Sequence, residues 1–345
     1  MRFRGIGRIQ NFSKRLRGII APGPTILLYH RVAELTADPQ LLAVSPAHFD
    51  GHLSVLKKHY NIMPLDDLVT AVINGIVPKK AVAITFDDGY ADNFQHAWPL
   101  LKKHSIPATI YLTTGYISSN REFFCDELER LLLCQKKLPQ TIRLIISGRQ
   151  YEWFLRPKSN STLDIHNNSW SIENLDNPTP AHRAYREIHQ LVRILPYEMQ
   201  RQILDQIRKA VGDDGSARPS HLAMSWGQIK KIADDRLVNI GAHTVNHAYL
   251  SSLSINAQQS EIIGSVKAIE SHINKKVTSF AYPYGTRDAY DGNTLSVMRQ
   301  IGFMNSVSNY RARISPSVDP YQLPRLIIRD YPRDTFRRYL RRNVL

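Results

Sequence analysis

Two adjacent carboxylates, Asp87 and Asp88, follow a short apolar run and precede Gly89. The run from Ala81 to Phe86 predicts a buried strand, and in parallel sheets and barrels the active-site loops gather at the carboxyl ends of the strands. Neighbouring strand residues point to opposite sides, so we expect the glycine to turn the backbone and bring both carboxylates inward. One carboxylate could then hold a cation while the other acts as a base. A plain turn with capping aspartates would give the same string.

Two histidines, His243 and His247, stand four residues apart. On a helical turn this spacing points both imidazoles the same way, as two ligands of one metal ion require. Because the chain has 13 histidines, such a pair also arises readily by chance, and its context must decide. No glutamate follows His243, which excludes the zinc-protease pattern.

A third string, from Phe280 to Gly285, ends another predicted strand with an aromatic and proline turn. If the strands form a barrel, all three strings meet at one mouth. One carboxylate and two imidazoles form a catalytic metal set that leaves positions open for water and substrate, and the second carboxylate is a candidate base. Together these groups favour metal-assisted hydrolysis of an amide or an ester.

The elements that must position these strings alternate between strand and helix along most of the chain. The apolar pattern predicts strands at 26–29, 81–86, 107–113, 237–241, 278–282 and 323–328, with helices between them. This alternation favours a parallel α/β architecture. We expect the following segments: a basic N-terminal arm (1–24), a barrel (25–131 and 221–332), an inserted α+β segment (132–220) and a basic C-terminal tail (333–345).

The chain resembles the polysaccharide deacetylases of carbohydrate esterase family 4, the group that shares the NodB-homology domain. The resemblance rests on the string from Thr85 to Tyr90 and on the turn from His243 to His247, which match the family's two diagnostic motifs in order and separation. It extends over 26–119 and 226–325. It implies a distorted (β/α) barrel.

The resemblance also implies a metal site and a base. Asp88, His243 and His247 would hold the metal, and Asp87 would be the general base for a metal-bound water. An Asp/His/His set accepts several divalent ions, of which we expect Zn²⁺, with Co²⁺ or Ni²⁺ as alternatives.

Substrate contacts are expected around the same mouth. The resemblance implies that the backbone N–H of Tyr284 helps to stabilise the oxyanion, with Pro283 in the same turn. Tyr90 and Tyr284 could stack on a sugar ring, although aromatic residues in such turns also serve in packing.

Two departures from the family pattern need an explanation. Ala281 stands where the family has an arginine that orients the catalytic aspartate, and no histidine follows His272, although the general acid usually lies near the C-terminus. A circularly permuted subgroup, which includes deacetylases of poly-N-acetylglucosamine, carries the acid on an N-terminal strand. The stretch 26–32 resembles that strand, which makes His30 the expected acid. Arg325 is a candidate for the missing guanidinium, or could pair with a surface carboxylate.

The expected function is removal of N-acetyl groups from an amino-sugar polysaccharide or glycan precursor. A deformylase or deacylase of a lipid-linked amino sugar would use the same residues. A non-catalytic carbohydrate-binding barrel is the alternative from another class, and its only support is the missing arginine. The sequence does not specify the glycan, the acyl group, the metal or the role of the insertion.

Charge bears on partners and location. The formal net charge is +15, and arginines are concentrated at both ends of the chain. Such ends suit an anionic membrane surface or lipid-linked phosphates, although a solvated basic surface would look the same. No segment predicts a secretory signal or a membrane helix, so we expect a cytoplasmic protein, peripheral to the inner face of the membrane. Nucleic-acid binding is not expected, because no motif for it is present.

Overall fold

A computed structural model describes residues 23–156 and 169–343. Eight strands form one parallel sheet and the others form two small pairs, β2 with β3 and β7 with β8. In chain order the strands are β1 (Thr25–Tyr29), β2 (Arg31–Val32), β3 (Ala43–Val44), β4 (Asn61–Ile62), β5 (Ala81–Phe86), β6 (Ala108–Leu112), β7 (Thr141–Ile146), β8 (Arg149–Phe154), β9 (Val238–Ala242), β10 (Ser279–Ala281), β11 (Asn305–Val307) and β12 (Leu326–Ile327).

Most of the α-helices connect these strands or belong to the insertion, and the last one follows β12. They are α1 (Pro46–His59), α2 (Leu65–Ile73), α3 (Trp98–His104), α4 (Phe124–Leu132), α5 (Pro180–Val192), α6 (Tyr197–Val211), α7 (Trp226–Ala233), α8 (Ile255–Ile273), α9 (Gly292–Ile301) and α10 (Arg333–Asn343). No helix in the described part of the chain is both long enough and apolar enough to cross a membrane.

The sheet curls into a distorted barrel. Its order is β11-β10-β9-β6-β5-β1-β12, with β4 beside β5. The two ends of this order meet through one segment, because Leu323 bridges to Val307 in β11 while Leu326 pairs with Leu27 in β1. The strand predicted at 323–328 is therefore divided, since Pro324 has no N–H to contribute to a ladder. The predicted distorted barrel is confirmed.

Alternation along the strands decides which residues face the barrel interior. Ile26, Ala83 and Tyr111 pack in an interior cluster, which also includes residues of α2. Asp66 in α2 accepts hydrogen bonds from the side chains just before β10 and at the start of β11, so this helix closes the amino end of the barrel. Continuing the same alternation by two residues at a time places His30 and Asp87 on the inner face, at the open carboxyl end. In β9, a Cβ on Gly241 would meet the Tyr111 ring, so His243, two residues later, lies on the same face.

The insertion has a hydrophobic core of its own. Helix α4, the hairpin β7–β8 and helices α5 and α6 contribute side chains to one buried cluster. Since α4 lies before residue 132, this packing unit begins earlier in the chain than the expected insertion. Residues 157–168 of the polar loop lie outside the described residues.

The basic C-terminal segment is not a plain extension. Residues 333–343 form helix α10, which buries Phe336 and Leu340. The Phe336 ring stacks on His52 in α1 with centroids 3.8 Å apart. The segment expected as a tail is therefore packed on the barrel. Residues 1–22 of the N-terminal arm lie outside the described residues.

Candidate active site

His30 and Asp87 lie side by side, each directly after the last residue of its strand. Tyr29 and Phe86 are register partners in β1 and β5, and the backbone N–H of Asp87 donates to the carbonyl of Tyr29 at 3.0 Å. Both side chains line a cavity of about 230 Å³ at the carboxyl end of the sheet. The order of strands in the barrel thus brings a residue near the N-terminus beside the Asp-Asp pair.

Arg325 holds Asp87 in a two-point contact inside the barrel. Its terminal nitrogens donate to the two carboxylate oxygens of Asp87 at 2.7 and 2.6 Å, and Nε donates to the carbonyl of Ser308 at 2.8 Å. Asp87 and Arg325 are each 3% exposed. Arg325 therefore makes with Asp87 the contact that was expected of the family's arginine, while Ala281 packs in the interior cluster.

Asp88 reaches the cavity through a local left-handed turn. Its φ is +73°, and the following Gly89 has a φ of +76°. Aspartate tolerates this conformation better than most residues, and a Cβ on Gly89 would lie 2.7 Å from the side chain of Leu112. The turn redirects a side chain that strand alternation would have pointed outward. The expected turn is therefore present, but both Asp88 and Gly89 adopt positive φ in it.

The segment from His243 to His247 is an irregular loop, so the helical turn expected from the spacing is wrong. Thr244 and His247 both have positive φ, at 67° and 57°. Glu261 in α8 fixes the loop, because its carboxylate accepts the backbone N–H groups of Val245 and Asn246 at 2.9 and 2.8 Å. The two imidazoles nevertheless converge, with ring centroids 5.1 Å apart.

Gly115 supports the same loop, although no motif in the sequence marks it. Its N–H donates to the carbonyl of Val245 at 2.7 Å, and a Cβ at this position would lie 2.7 Å from that carbonyl oxygen. Only a residue without a side chain allows this close approach. Neither Gly115 nor Glu261 carries a local motif, so contacts in the fold were needed to find them.

Asp88, His243 and His247 fit a divalent metal ion. The Nε2 atoms of His243 and His247 lie 3.5 and 3.4 Å from Oδ1 of Asp88, and that buried oxygen has no hydrogen-bond partner among the described residues. Ligand bonds of about 2.1 Å in a tetrahedral site separate neighbouring ligand atoms by roughly 3.4 Å. Nδ1 of His243 lies 2.7 Å from the carbonyl oxygen of Ala281. Because that oxygen can only accept a hydrogen bond, Nδ1 must be the donor. Nε2 is then left as the free ligand atom.

The electrostatics favour the ionised form of Asp87. Burial alone would raise the pKa of Asp87, but the charge and hydrogen bonds of Arg325 outweigh it and lower that pKa below the usual value. Burial lowers the pKa of His247 to about 4, which favours the neutral form that binds a metal. Burial also lowers the pKa of His30, against the opposing charges of Asp88 and Asp87. No hydrogen bond within the described residues uses the His30 imidazole, so it remains available to a ligand.

Tyr284 and Tyr90 differ in what they offer to a substrate. The Tyr284 ring lies 4.8 Å from that of His247 and lines the cavity, and no hydrogen bond in the described part of the chain uses its backbone N–H. Pro283, the preceding residue, is buried. Tyr90 borders the cavity but is fully buried, and its hydroxyl donates to Asp126 at 2.8 Å. Tyr90 thus supports the cavity floor and has little surface for stacking on a sugar.

The turn held by Glu261 gives a first testable prediction. We expect Glu261→Gln to weaken metal binding about 10- to 100-fold, because the amide cannot accept both backbone N–H groups as strongly as the carboxylate. Competition with a fluorescent chelator measures the affinity. Glu270→Gln is the matched control, since Glu270 lies on the same helix and accepts the N–H of Val277 instead. Equal affinities in the wild type and Glu261→Gln would show that the turn does not depend on the carboxylate.

The chain is similar to known deacetylases. The poly-beta-1,6-N-acetyl-D-glucosamine N-deacetylase of Staphylococcus aureus is 30% identical over 89 residues, which are 26% of this chain and 31% of that protein. The chain spans about a third of the length of the curated relatives that it matches.

Solved structures show the same fold. IcaB from Ammonifex degensii is similar with a TM-score of 0.57 and 18% identity, over 94% of this chain and 97% of that chain. The Streptococcus pyogenes deacetylase PplD, in complex with acetate, gives a TM-score of 0.56 and 19% identity, over 94% and 99%. At these identities the likeness establishes the fold alone.

A family model described as polysaccharide deacetylase matches residues 74–202 and 206–306, well over half of the chain. His30 and Arg325 lie outside the matched residues, as a permuted chain would require. The match confirms the predicted family. The chain belongs to the polysaccharide deacetylase family.

Proposed function

We propose that the chain removes N-acetyl groups from an amino-sugar polysaccharide or glycan precursor and that it requires a divalent metal ion. The observation that carries this proposal is the convergence of Asp88, His243 and His247 beside an Asp87 that is buried and held by Arg325. A protein that only bound sugars would not need a buried base next to a metal site. Arg325 also removes the one argument for a non-catalytic barrel, which was the absent arginine at 281.

The residues divide the reaction between them. A divalent ion held by Asp88, His243 and His247 would polarise the amide carbonyl and make water more acidic. Asp87, ionised and held by Arg325, takes the proton of the attacking water. The backbone N–H of Tyr284 is free to donate to the oxygen on which charge develops. His30, directly after the neighbouring strand β1, supplies a proton to the departing amine nitrogen.

Acetate release tests the proposal. Chitooligosaccharides and poly-N-acetylglucosamine fragments are incubated with the full chain, before and after chelator treatment, and Zn²⁺, Co²⁺ or Ni²⁺ is then added back. We expect release that chelation abolishes and one of these ions restores. Release that survives complete removal of metal would contradict metal dependence, and no release from any of these glycans would contradict the substrate class.

The proposed acid predicts a dependence on the leaving group. His30→Gln should lower kcat about 100-fold on an N-acetyl sugar, because an amine leaves only with a proton. Hydrolysis of p-nitrophenyl acetate should change less than about threefold, since its phenolate leaves unprotonated. Parallel rate measurements on both substrates, with metal content checked, provide the test. Equal losses on amide and ester would rule out His30 as the acid.

A cytoplasmic location at the inner membrane face also stays a proposal, and a basic surface supports it. This surface lies around His59 and Tyr60 and consists of Lys58, Lys80, Arg333, Arg337 and Arg341. It is at the amino end of the barrel, because β4 and β5 begin there, whereas the cavity opens at the carboxyl end. A membrane held by this surface would therefore leave the cavity facing away from the lipid. That geometry favours a soluble or polymeric glycan over a lipid-linked sugar in the same membrane.

Vesicle binding tests the basic surface. We expect the chain to sediment with vesicles containing phosphatidylglycerol and not with pure phosphatidylcholine. Arg337→Glu/Arg341→Glu should weaken this binding about tenfold or more, at roughly 1 kcal/mol for each basic residue lost. Arg143→Glu/Arg149→Glu on the hairpin is the control with the same change of charge. Equal binding to both kinds of vesicle would remove the support for a membrane contact.

A further inference from the structure

Arg193, the first residue after α5, lies in the wall of the active-site cavity with unused hydrogen-bonding capacity. Its Nε is buried and has no partner, and the guanidinium forms neither a hydrogen bond nor an ion pair with any residue of the described chain. An arginine carries five N–H donors, and buried donors in native proteins are nearly always satisfied. Nε, the donor that is buried without a partner, therefore indicates a ligand that is not part of the chain.

Two other arginines, Arg329 in the cavity wall and Arg325 behind Asp87, do not share this property. Arg325 is bonded to Asp87 on two sides. Arg329 pairs with Glu173 at 2.5 Å and also donates to a backbone carbonyl. Arg193 alone among these three has its donors free.

Aromatic rings hold Arg193 near the metal ligands. Its guanidinium carbon lies 5.7 Å from the ring centroid of Tyr249 and 6.0 Å from that of Tyr284. The Tyr284 ring in turn lies 4.8 Å from the ring of His247. Such contacts position a guanidinium without consuming its N–H donors. Arg193 is therefore two side-chain contacts from a metal ligand, a span that one or two sugar units can cover.

The charge of Arg193 is not balanced inside the cavity. Asp87 and Asp88 are the only carboxylates among the described residues that line it. The first is paired with Arg325, and the second faces the two histidines of the metal site. Asp288 at the exposed rim is close enough for its pKa to respond to Arg193, but its carboxylate accepts the Tyr249 hydroxyl and makes no ion pair with the guanidinium.

We propose that Arg193 binds an oxyanion, a carboxylate or a phosphate, carried by the reacting amino sugar or by the sugar next to it. A planar guanidinium with free donors matches either group through two parallel hydrogen bonds. This inference rests on the proposed function, because it assigns the substrate of the same site to the anionic amino sugars. It also gives the insertion a task, since helix α5 brings Arg193 to the barrel mouth.

Ligand binding measured without turnover tests the proposal. The probes are N-acetylglucosamine 1-phosphate, N-acetylmuramic acid and the uncharged methyl glycoside of N-acetylglucosamine, titrated into the full chain with ligand-observed NMR. We expect at least one charged probe to bind more tightly than the glycoside, and the phosphate and the carboxylate distinguish the two sources of charge. Arg193→Gln should weaken binding of that charged probe about 10- to 100-fold and binding of the glycoside less than about threefold.

Two further variants test whether the effect depends on the position and on the shape of the guanidinium. Arg183→Gln removes the same charge from the same helix, where Arg183 is exposed and paired with Glu187, and should bind all three probes as the wild type does. Arg193→Lys should recover part of the affinity, because the charge remains while the planar fork is lost.

The outcomes separate this inference from the proposed function. Equal weakening of charged and uncharged probes in Arg193→Gln would mean a structural role and would overturn the oxyanion site. So would a wild type that does not prefer either charged probe. Failure of the deacetylation assay would leave the binding result intact, because binding requires no turnover. A probe that binds through the metal ion would bind equally to the wild type and to Arg193→Gln. Such binding would therefore not produce a difference between them.

Discussion

Asp87→Asn should lower kcat for deacetylation about 1,000-fold while the bound metal is retained. General-base catalysis contributes typically 10²- to 10⁴-fold, and an amide of the same shape cannot accept the proton of water. Asp87 is suited to the task because Arg325 lowers its pKa and fixes both oxygens. Acetate release and metal analysis on the same preparation provide the measurement.

The neighbouring carboxylate is the control. Asp88→Asn should lose activity and metal together, because Oδ1 of Asp88 is the oxygen that both histidine Nε2 atoms face. The same substitution one residue apart thus separates a base from a ligand. An Asp87→Asn enzyme with wild-type kcat would show that another group accepts the proton. Loss of metal from Asp87→Asn would instead place Asp87 among the ligands.

Strand periodicity was enough to predict much of this site. The apolar run 81–86 is a strand with the same bounds in the structure, and alternation along β5 places Asp87 on the inner face. The strand that ends just before His30 could be predicted as well, because it too is a short buried run. Parallel strands then bring their carboxyl ends together regardless of distance along the chain. These features depend on local patterns, which the sequence contains.

Other features depend on contacts that no local pattern encodes. Arg325 and Asp87 are 238 residues apart, so only closure of the barrel brings them together. The spacing of His243 and His247 suggested a helical turn, whereas the loop conformation depends on Glu261 in another element. Arg193 stands in no sequence motif, because its significance lies in the partners that it lacks.

Two elements, helix α10 and strand β11, are difficult to predict from the sequence, the first because of its charge and the second because it is short. Residues 333–343 are so rich in arginine that charge dominated their interpretation, yet Phe336 and Leu340 have the four-residue spacing of a buried helical stripe. Strand β11 is the three-residue string Asn305–Val307, with two polar residues that face buried surroundings. A run so short and polar has no periodicity to detect.

Arg325→Met should destabilise the protein by about 3–5 kcal/mol, because it leaves the carboxylate of Asp87 buried without its cation. Denaturant unfolding measures the loss, and the double variant Arg325→Met/Asp87→Asn should recover a large part of it by removing the unpaired charge. In the wild type the lowered pKa of Asp87 contributes stability that is present above the unfolded pKa and is lost as pH falls through the folded pKa. Without Arg325, burial raises that pKa instead, so the deficit of the single variant should shrink as pH falls and Asp87 becomes protonated. A loss below about 1 kcal/mol, or a double variant no more stable than the single one, would show that the pair does not carry this energy.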